Sequence, residues 1–243
     1  MFSLFKIEIN RFFSTLTGYI VIPVFLVFNS LYMWIFPGEL NILDAGYATI
    51  DTLFIISPWV FLFLIPAITM RMFADEKKSG TMDLLLTRPL SDLQIVLAKF
   101  FAAMMLAVFS LIPCLIYFLS VYLLGDPPGN IDTGATWGSF IGLIFLAASY
   151  TGIGIFSSSL TDNMIISFII SVSISFLFFI GFDYISQIDD FGRAGTFILT
   201  LGINEHYKAI SRGVIYFKDI IYFISLVSVF LLFTKTVLNK RRW

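Results

Sequence analysis

Long stretches of apolar residues are the feature of this sequence that most constrains its fold. A helix needs about 20 consecutive apolar residues to cross the roughly 30 Å hydrocarbon core of a bilayer. A segment in lipid must also satisfy its backbone hydrogen bonds internally, which a helix does. The sequence therefore predicts an all-α integral membrane protein with six transmembrane helices, at about residues 17–36, 52–73, 95–125, 136–160, 164–182 and 220–238.

Composition agrees with this fold class and argues against a soluble enzyme. The 243 residues are 58% hydrophobic and 13% charged, whereas about 25% of the residues in a soluble domain are charged. The single cysteine excludes an intrachain disulfide, and the single histidine excludes a zinc site built from two histidines. No stretch has the GxxxxGK[ST] pattern that cradles nucleotide phosphates. We therefore predict that the chain is not an enzyme, has no catalytic residues and binds no metal.

Three elements are predicted outside the spans. Residues 1–14 carry apolar side chains on one helical face, which is typical of an interfacial helix. Residues 183–219 interleave charges with apolar runs too short to cross, so we expect short helices at the outer leaflet before the last span. A cytoplasmic coupling helix is predicted at about residues 75–90. Together these elements predict a single transmembrane domain over residues 1–243, whose first span is retained because no signal-peptide cleavage site follows it.

The distribution of basic residues predicts the orientation of the chain. Six spans place both termini on one side, and eleven of the 15 Lys and Arg residues fall on that side. Cytoplasmic segments carry the excess of Lys and Arg. We therefore expect a multi-pass protein of the cell inner membrane, with both termini and residues 75–90 in the cytoplasm.

Residues 75–90, hereafter the coupling segment, form the candidate functional site. The segment begins with two acidic and two basic residues and passes a Ser-Gly-Thr break. Pro89 stops its helix, and Ser91 and Gln94 then have capping-box spacing. Three consecutive leucines beside water indicate that headgroups or a partner groove cover them, rather than that the segment is a passive loop. We predict that a partner protein docks here, through Glu76, Lys77, Gly80, Thr81, Leu84, Leu85 and Arg88.

Two stretches carry a resemblance to a known family. Residues 76–91 read EKKSGTMDLLLTRPLS and are followed by Lys99. This pattern resembles the cytoplasmic signature of type-two ABC exporter permeases, in which an acidic–basic pair, a Gly-Thr, a leucine run, a proline and a later lysine join the second and third spans. Residues 204–219, NEHYKAISRGVIYFKD, are similar to that family's approach to its sixth helix. The resemblance implies a six-helix permease subunit on which a separate nucleotide-binding subunit docks at the coupling segment.

Within that family the chain is most similar to the gliding-motility permeases of the GldF group of Bacteroidota. This likeness implies a GldA-like ABC ATPase as partner, with ATP and Mg on that partner and no cofactor bound by this chain. It also implies a second permease, either a copy of the chain or a GldG-like protein. Membrane lipid is expected as a further contact, and nucleic acid is not. The substrate and its direction of movement stay open.

Alternatives remain open at three points. The coupling segment fits a transporter subunit, and it also fits a non-transporting mechanical or scaffold module of a surface-motility or secretion apparatus. His206, beside Glu205, is interpreted as a polar group at the membrane surface rather than as a ligand or a pH switch. The serines of the fourth and fifth spans are interpreted as helix-packing residues rather than as a polar path.

Overall fold

The computed structural model describes residues 1–82, 90–188 and 192–239, without the side chains of residues 16, 17 and 192–194. This part of the chain is helical and contains no strand. Its helices are α1 (Phe2–Phe13), α2 (Leu16–Ser30), α3 (Ile42–Ala45), α4 (Asp51–Thr69), α5 (Arg71–Lys78), α6 (Asp92–Leu111), α7 (Leu115–Leu124), α8 (Thr133–Leu160), α9 (Met164–Phe176), α10 (Phe182–Ser186), α11 (Gly192–Leu199), α12 (Ile203–Ile210) and α13 (Phe217–Asn239).

Six helical segments in the described ranges are long and apolar enough to cross a membrane, which confirms the predicted fold class. They are Gly18–Ile35, Asp51–Lys78, Asp92–Leu124, Thr133–Leu160, Met164–Ser186 and Phe217–Asn239. Helix α1 precedes the first span, and the short helices α11 and α12 precede the last one, as predicted. Short π-helical turns extend α2 and α9, and a 3₁₀ turn at Pro113 joins α6 to α7.

Two spans have helical extensions toward the coupling segment. Helix α4 passes through one turn residue, Met70, into α5, so that the helical path of the second span reaches Lys78. The third span begins at Asp92. There the predicted capping box is confirmed, because Gln94 N donates to Ser91 Oγ at 3.3 Å and Ser91 N donates to Gln94 Oε1 at 3.1 Å. Helix α5 extends the second span beyond its apolar run because straight-chain charged residues such as Glu76, Lys77 and Lys78 keep a good helix propensity.

Helix α8 lies at the centre of the bundle and packs against α4, α9 and α13. The most apolar part of α8 is 72% buried inside the protein, against 22% for the spans that contain α9 and α13. Glycines let neighbouring segments approach α8 closely. A Cβ at Gly142 would lie 2.9 Å from Ile210 Cγ2, and one at Gly138 would lie 3.0 Å from Gly213 Cα. The small residues of the fourth span therefore serve helix contact.

The serines of α8 and α9 fall into three groups. Ser157 and Ser159 donate to carbonyls of their own helix, Ile153 O at 2.9 Å and Phe156 O at 2.7 Å, as packing serines do. Ser158 instead contacts a neighbouring helix. In the described part of the chain, no partner is found for the buried hydroxyls of α9, at Ser167, Ser171 and Ser175.

Gly154→Ala tests the closest approach between α4 and α8. A Cβ at residue 154 would meet Thr69 Oγ1 at 2.0 Å, and Thr69 is fully buried. Overpacking of this kind costs about 1–3 kcal/mol, so we expect a lower midpoint of thermal unfolding in detergent. Gly152→Ala is the matched control, because the atom nearest to its Cβ would lie 3.7 Å away. Equal midpoints for the two variants would contradict the tight contact at residue 154.

Candidate functional site

A buried ion cluster lies where α1, α5 and α6 meet. Lys99 of α6 is fully buried, and its Nζ donates to Glu8 Oε1 at 2.6 Å, to Glu76 Oε1 at 2.7 Å and to Met72 O at 2.8 Å. An ammonium group has three N–H donors, so all three of them are used. Lys99 therefore joins three helices through one atom.

A second cation extends the cluster toward water. Arg11 Nη2 lies 2.6 Å from Asp75 Oδ2, and Arg11 Nη1 lies 3.8 Å from Glu76 Oε1. The side chains of Arg11 and Asp75 are 45% and 33% exposed, and exposed pairs of this kind contribute at most about 1 kcal/mol. Their structural effect is to attach α1 to α5 at a second point.

The charges of the cluster depend on one another. Three carboxylates, of Glu8, Asp75 and Glu76, face the cations of Lys99 and Arg11. Oε2 of Glu76 is buried and has no hydrogen-bond partner in the described chain. Removing one partner from a buried ion pair costs about 3–5 kcal/mol, because an uncompensated charge stays behind. Loss of the ammonium group would leave two carboxylates buried side by side.

Helix α8 holds the junction between α4 and α5. Ser158 Oγ accepts from the backbone N–H groups of Phe73 at 2.9 Å and Ala74 at 3.1 Å, and it donates to Met70 O at 3.0 Å. A hydroxyl inserted beside the intrahelical ladder is a known cause of helix bending. Lys77 Nζ also donates to Ser159 O. Both ends of α5 are therefore attached to the central helix of the bundle.

The predicted site residues fall in two environments, and a third group lies outside the described chain. Glu76 belongs to the ion cluster, and Lys77 contacts α8. Gly80 and Thr81 follow α5 and are exposed, and Gly80 has φ +69°, the left-handed conformation that favours glycine after a helix. Residues 83–89 of the predicted coupling helix, including Leu84, Leu85 and Arg88, lie outside the described residues. Docking of a partner by this set stays a prediction.

Two residues of the site, Glu8 and Ser158, are not predicted from the sequence, and Lys99 is predicted only as part of the family pattern. Glu8 carries a usable signal, because it lies between Leu4 and Phe12 at four-residue spacing on the buried face of α1. A charge in such a stripe indicates a buried partner. Lys99 is recognised only as the last residue of the family pattern. Ser158 gives no signal, since a run of three serines does not show which one faces α5.

A second polar cluster joins α12 to α13 at the opposite end of the bundle. His206 Nδ1 lies 2.6 Å from Asp219 Oδ1, and Nε2 lies 2.9 Å from Thr200 O. The ring stacks on Tyr222 with centroids 3.9 Å apart. His206 is 8% exposed and Asp219 is 1% exposed, so the predicted surface position of His206 is wrong. Because a carbonyl oxygen only accepts, Nε2 carries a proton.

Two further bonds fix the segment around α12. Tyr207 OH donates to Phe54 O at 2.7 Å, and burial raises the pKa of Tyr207 well above its ordinary value, so its hydroxyl stays a neutral donor. Asn204 Nδ2 donates to Asp183 Oδ2 at 2.5 Å. This end of the bundle is closed by polar contacts between short helices.

The fold is that of a multi-pass membrane protein. Its ion cluster fixes α5, which begins the connection between the second and third spans, against α1 and α6. Residues 44–240 match the family described as ABC-2 family transporter protein, so the chain belongs to this family. The chain is therefore a transmembrane permease of an ABC transporter; members of the family generally work with an ABC ATPase and are generally not enzymes themselves. No curated protein matches the chain.

Lys99→Met tests whether the ion cluster holds α1 against α5 and α6. The substitution keeps a long unbranched side chain but leaves Glu8 and Glu76 buried without their cation. We expect a loss of about 3–5 kcal/mol, measured as a lower midpoint of thermal unfolding in detergent. Lys6→Met removes an exposed cation from α1, and a surface change of this kind stays within about 0.5 kcal/mol of the unchanged protein.

A triple variant separates charge from packing. Combining Lys99→Met with Glu8→Gln and Glu76→Gln removes the buried charges together, so part of the lost stability is expected to return. A triple variant no more stable than Lys99→Met alone would show that Lys99 acts through packing.

Proposed function

We propose that this permease is driven by ATP hydrolysis in a separate ABC ATPase that docks on the coupling segment. The observation that carries the proposal is the ion cluster of Lys99, which connects the start of that segment to α1 and α6. A flexible loop would move alone when a partner displaces it. A segment whose start is held by buried ion pairs moves the helices to which those pairs connect it.

Displacement of the coupling segment has two routes into the membrane. On one side, α5 leads into α4 through the junction held by Ser158. On the other side, the capping box at Ser91 starts α6. Lys99 cross-links the two routes because it binds Glu76 and Met72 O of α5 from its position on α6. The second and third spans therefore move together with α1.

The free energy for such a movement comes from the partner. A ligand shifts a conformational equilibrium only by its difference in affinity for the two states. Changing a 1:99 ratio to 99:1 takes roughly 5.5 kcal/mol of differential affinity, which contacts on the coupling segment do not supply alone. ATP and Mg bound to the ATPase are therefore the source of this free energy, and the residues of this chain transmit the movement to the membrane spans.

The complex we propose is of the gliding-motility kind. The ATPase would be GldA-like, and the second permease would be a copy of this chain or a GldG-like protein. The excess of Lys and Arg on the side of the termini supports a cell inner membrane location with both termini cytoplasmic. The choice of partners rests on the overall likeness of the sequence to the GldF group, rather than on any one motif.

A mechanical or scaffold module that moves no solute is the second candidate. A cavity of about 990 Å³ in the described chain is lined almost entirely by apolar side chains, which suits contact with lipid or protein better than passage of a polar solute. The structure of the assembled complex separates the two candidates. A wide polar cavity between the permeases favours solute transport, and a closed apolar interface favours the mechanical module.

Leu85→Asp tests the docking role of the coupling segment. A charge among the three leucines is expected to prevent burial in a partner groove, so the ATPase should be lost when the permease is purified in mild detergent, while membrane insertion is kept. Leu43→Asp is the control, because Leu43 is 67% exposed and lies between the first two spans, at the other end of the bundle. Recovery of the ATPase with Leu85→Asp at the unchanged level would rule out docking through this segment.

A further inference from the structure

One histidine ring connects three segments at the end of the bundle opposite the ion cluster. His206 of α12 lies between Thr200 O, which follows α11, and Asp219 Oδ1, in the first turn of α13. The ring also stacks on Tyr222, whose hydroxyl donates to Leu201 O at 2.7 Å. The side chains of His206 and Asp219 are both buried. We call the ring, the Asp219 carboxylate and Thr200 O the histidine cluster.

Both ring nitrogens of His206 need a proton in this arrangement. Thr200 O only accepts, so Nε2 donates across its 2.9 Å contact. A carboxylate also only accepts, and Nδ1 lies 2.6 Å from Asp219 Oδ1, so a second proton lies between these two atoms. The histidine cluster is therefore closed as an imidazolium paired with a carboxylate.

A neutral ring cannot keep both contacts, because it has one N–H and one acceptor nitrogen. With the proton on Nε2, the lone pair of Nδ1 would face a carboxylate oxygen at 2.6 Å. With the proton on Nδ1, Nε2 would face a carbonyl oxygen at 2.9 Å. The other oxygen of Asp219, Oδ2, is buried without a hydrogen-bond partner in the described chain, so the imidazolium is what compensates this carboxylate. Loss of one proton therefore opens the histidine cluster.

The other charged groups around α12 do not replace the imidazolium. Those on α12, on its link to α13 and beside Asp219 are exposed, namely Glu205, Lys208, Arg212 and Lys218. Lys208 lies 3.5 Å from Asp183 Oδ2 of α10. Helix α4, which α12 contacts through Tyr207, has one charged residue, Asp51, and it is exposed. Helix α8 and the π-helical turn before α10 also pack against α12 and carry no charge, and Tyr150 is the one tyrosine of α8.

The histidine cluster holds a short helix that contacts the centre of the bundle. Helix α12 has eight residues, and isolated helices shorter than about 12 residues are marginal in water. Tyr207 OH donates to Phe54 O of α4, and Ile210 lies against Gly142 of α8. A change in the histidine cluster therefore reaches α4 and α8 as well as α13.

We propose that the histidine cluster is a proton-dependent switch, which holds α12 against α13 while the ring carries two protons and releases α12 when the ring loses one. Histidine is the side chain that exchanges a proton near physiological pH. Stacking on the face of Tyr222 also favours the charged ring. The identity of the compartment that supplies the proton rests on the proposed orientation of the chain, whereas the switch itself does not.

The number of protons bound gives the direction of the pH dependence. The closed state holds one proton more than the released state, so low pH favours closing and rising pH favours release. Over the pH range in which only the closed state keeps this proton, the ratio of closed to released protein falls about tenfold per pH unit.

Nitrogen-15 NMR of the imidazole tests the protonation state directly, because His206 is the only histidine in the chain. The full chain is labelled with ¹⁵N-histidine, purified in detergent without a histidine tag and titrated from about pH 5 to about pH 9, across the range in which histidines titrate. We expect both ring nitrogens to be protonated at the acid end and Nδ1 to lose its proton as the pH rises. A ring with the Nε2 proton alone at every pH, or with both protons at every pH, would overturn the switch.

Hydrogen exchange of the α12 amides tests what this proton does to the structure, with Asp219→Asn as the variant. The amide of asparagine donates to Nδ1 of a neutral ring, so this variant keeps both contacts without the second proton. Glu205→Gln is the matched control, because it removes an exposed carboxylate beside His206. We expect the protection factors of α12 to fall by up to about tenfold per pH unit in the unchanged chain and in Glu205→Gln, and to stay constant in Asp219→Asn.

Two results of this experiment would contradict the switch: constant protection in the unchanged chain, or the same fall with pH in Asp219→Asn. The NMR titration uses the unchanged chain, so it tests the switch even if Asp219→Asn does not fold. Neither measurement needs the ATPase or a transported substrate, so failure of the switch is distinguishable from failure of the docking proposal.

Discussion

The ammonium group of Lys99, enclosed by two carboxylates and one backbone carbonyl, is the interaction on which the coupling end of this bundle depends. Isolated charges are not stable in such an environment, and each member of the cluster is tolerated only because the others are present. The cluster therefore stabilises one arrangement of α1, α5 and α6 rather than adding a general attraction. An apolar contact of similar size would hold these helices together but would let them slide.

The other end of the bundle is closed by contacts of a different kind. His206, Asp219 and Tyr222 join α12 to α13, and Tyr207 reaches a carbonyl of α4. Between the two ends, α8 contacts most of the other spans and carries the glycines that allow close packing. Helix α8 also contributes Ser158 to the junction that leads into α5. The central helix is thus connected to both ends, while α2 and α9 border an apolar cavity.

Much of the fold follows from the sequence, because the length and polarity of the apolar runs decide it. Six spans, the helix before the first and the short helices before the last are all predicted from hydropathy, and the capping box at Ser91 from residue type and spacing. The site is less predictable, because it depends on pairing between distant residues. Glu8, Glu76 and Lys99 come from three helices, and nothing local shows that Lys99 turns inward instead of toward the headgroups. The burial of His206 is not predicted for the same reason, since its partner Asp219 is thirteen residues away.

We expect α1 and the start of the coupling segment to move as one body. This expectation is tested most directly by the distance between spin labels at Lys6→Cys and Thr81→Cys, both at exposed positions, in a chain with Cys114→Ala. The distance is measured in the complex with the proposed ABC ATPase, without nucleotide and with ATP bound, beside a reference pair at Lys6→Cys and Tyr47→Cys. We expect the same distance distribution between residues 6 and 81 in both states, while that of the reference pair changes. A shift between residues 6 and 81 with an unchanged reference pair would contradict it.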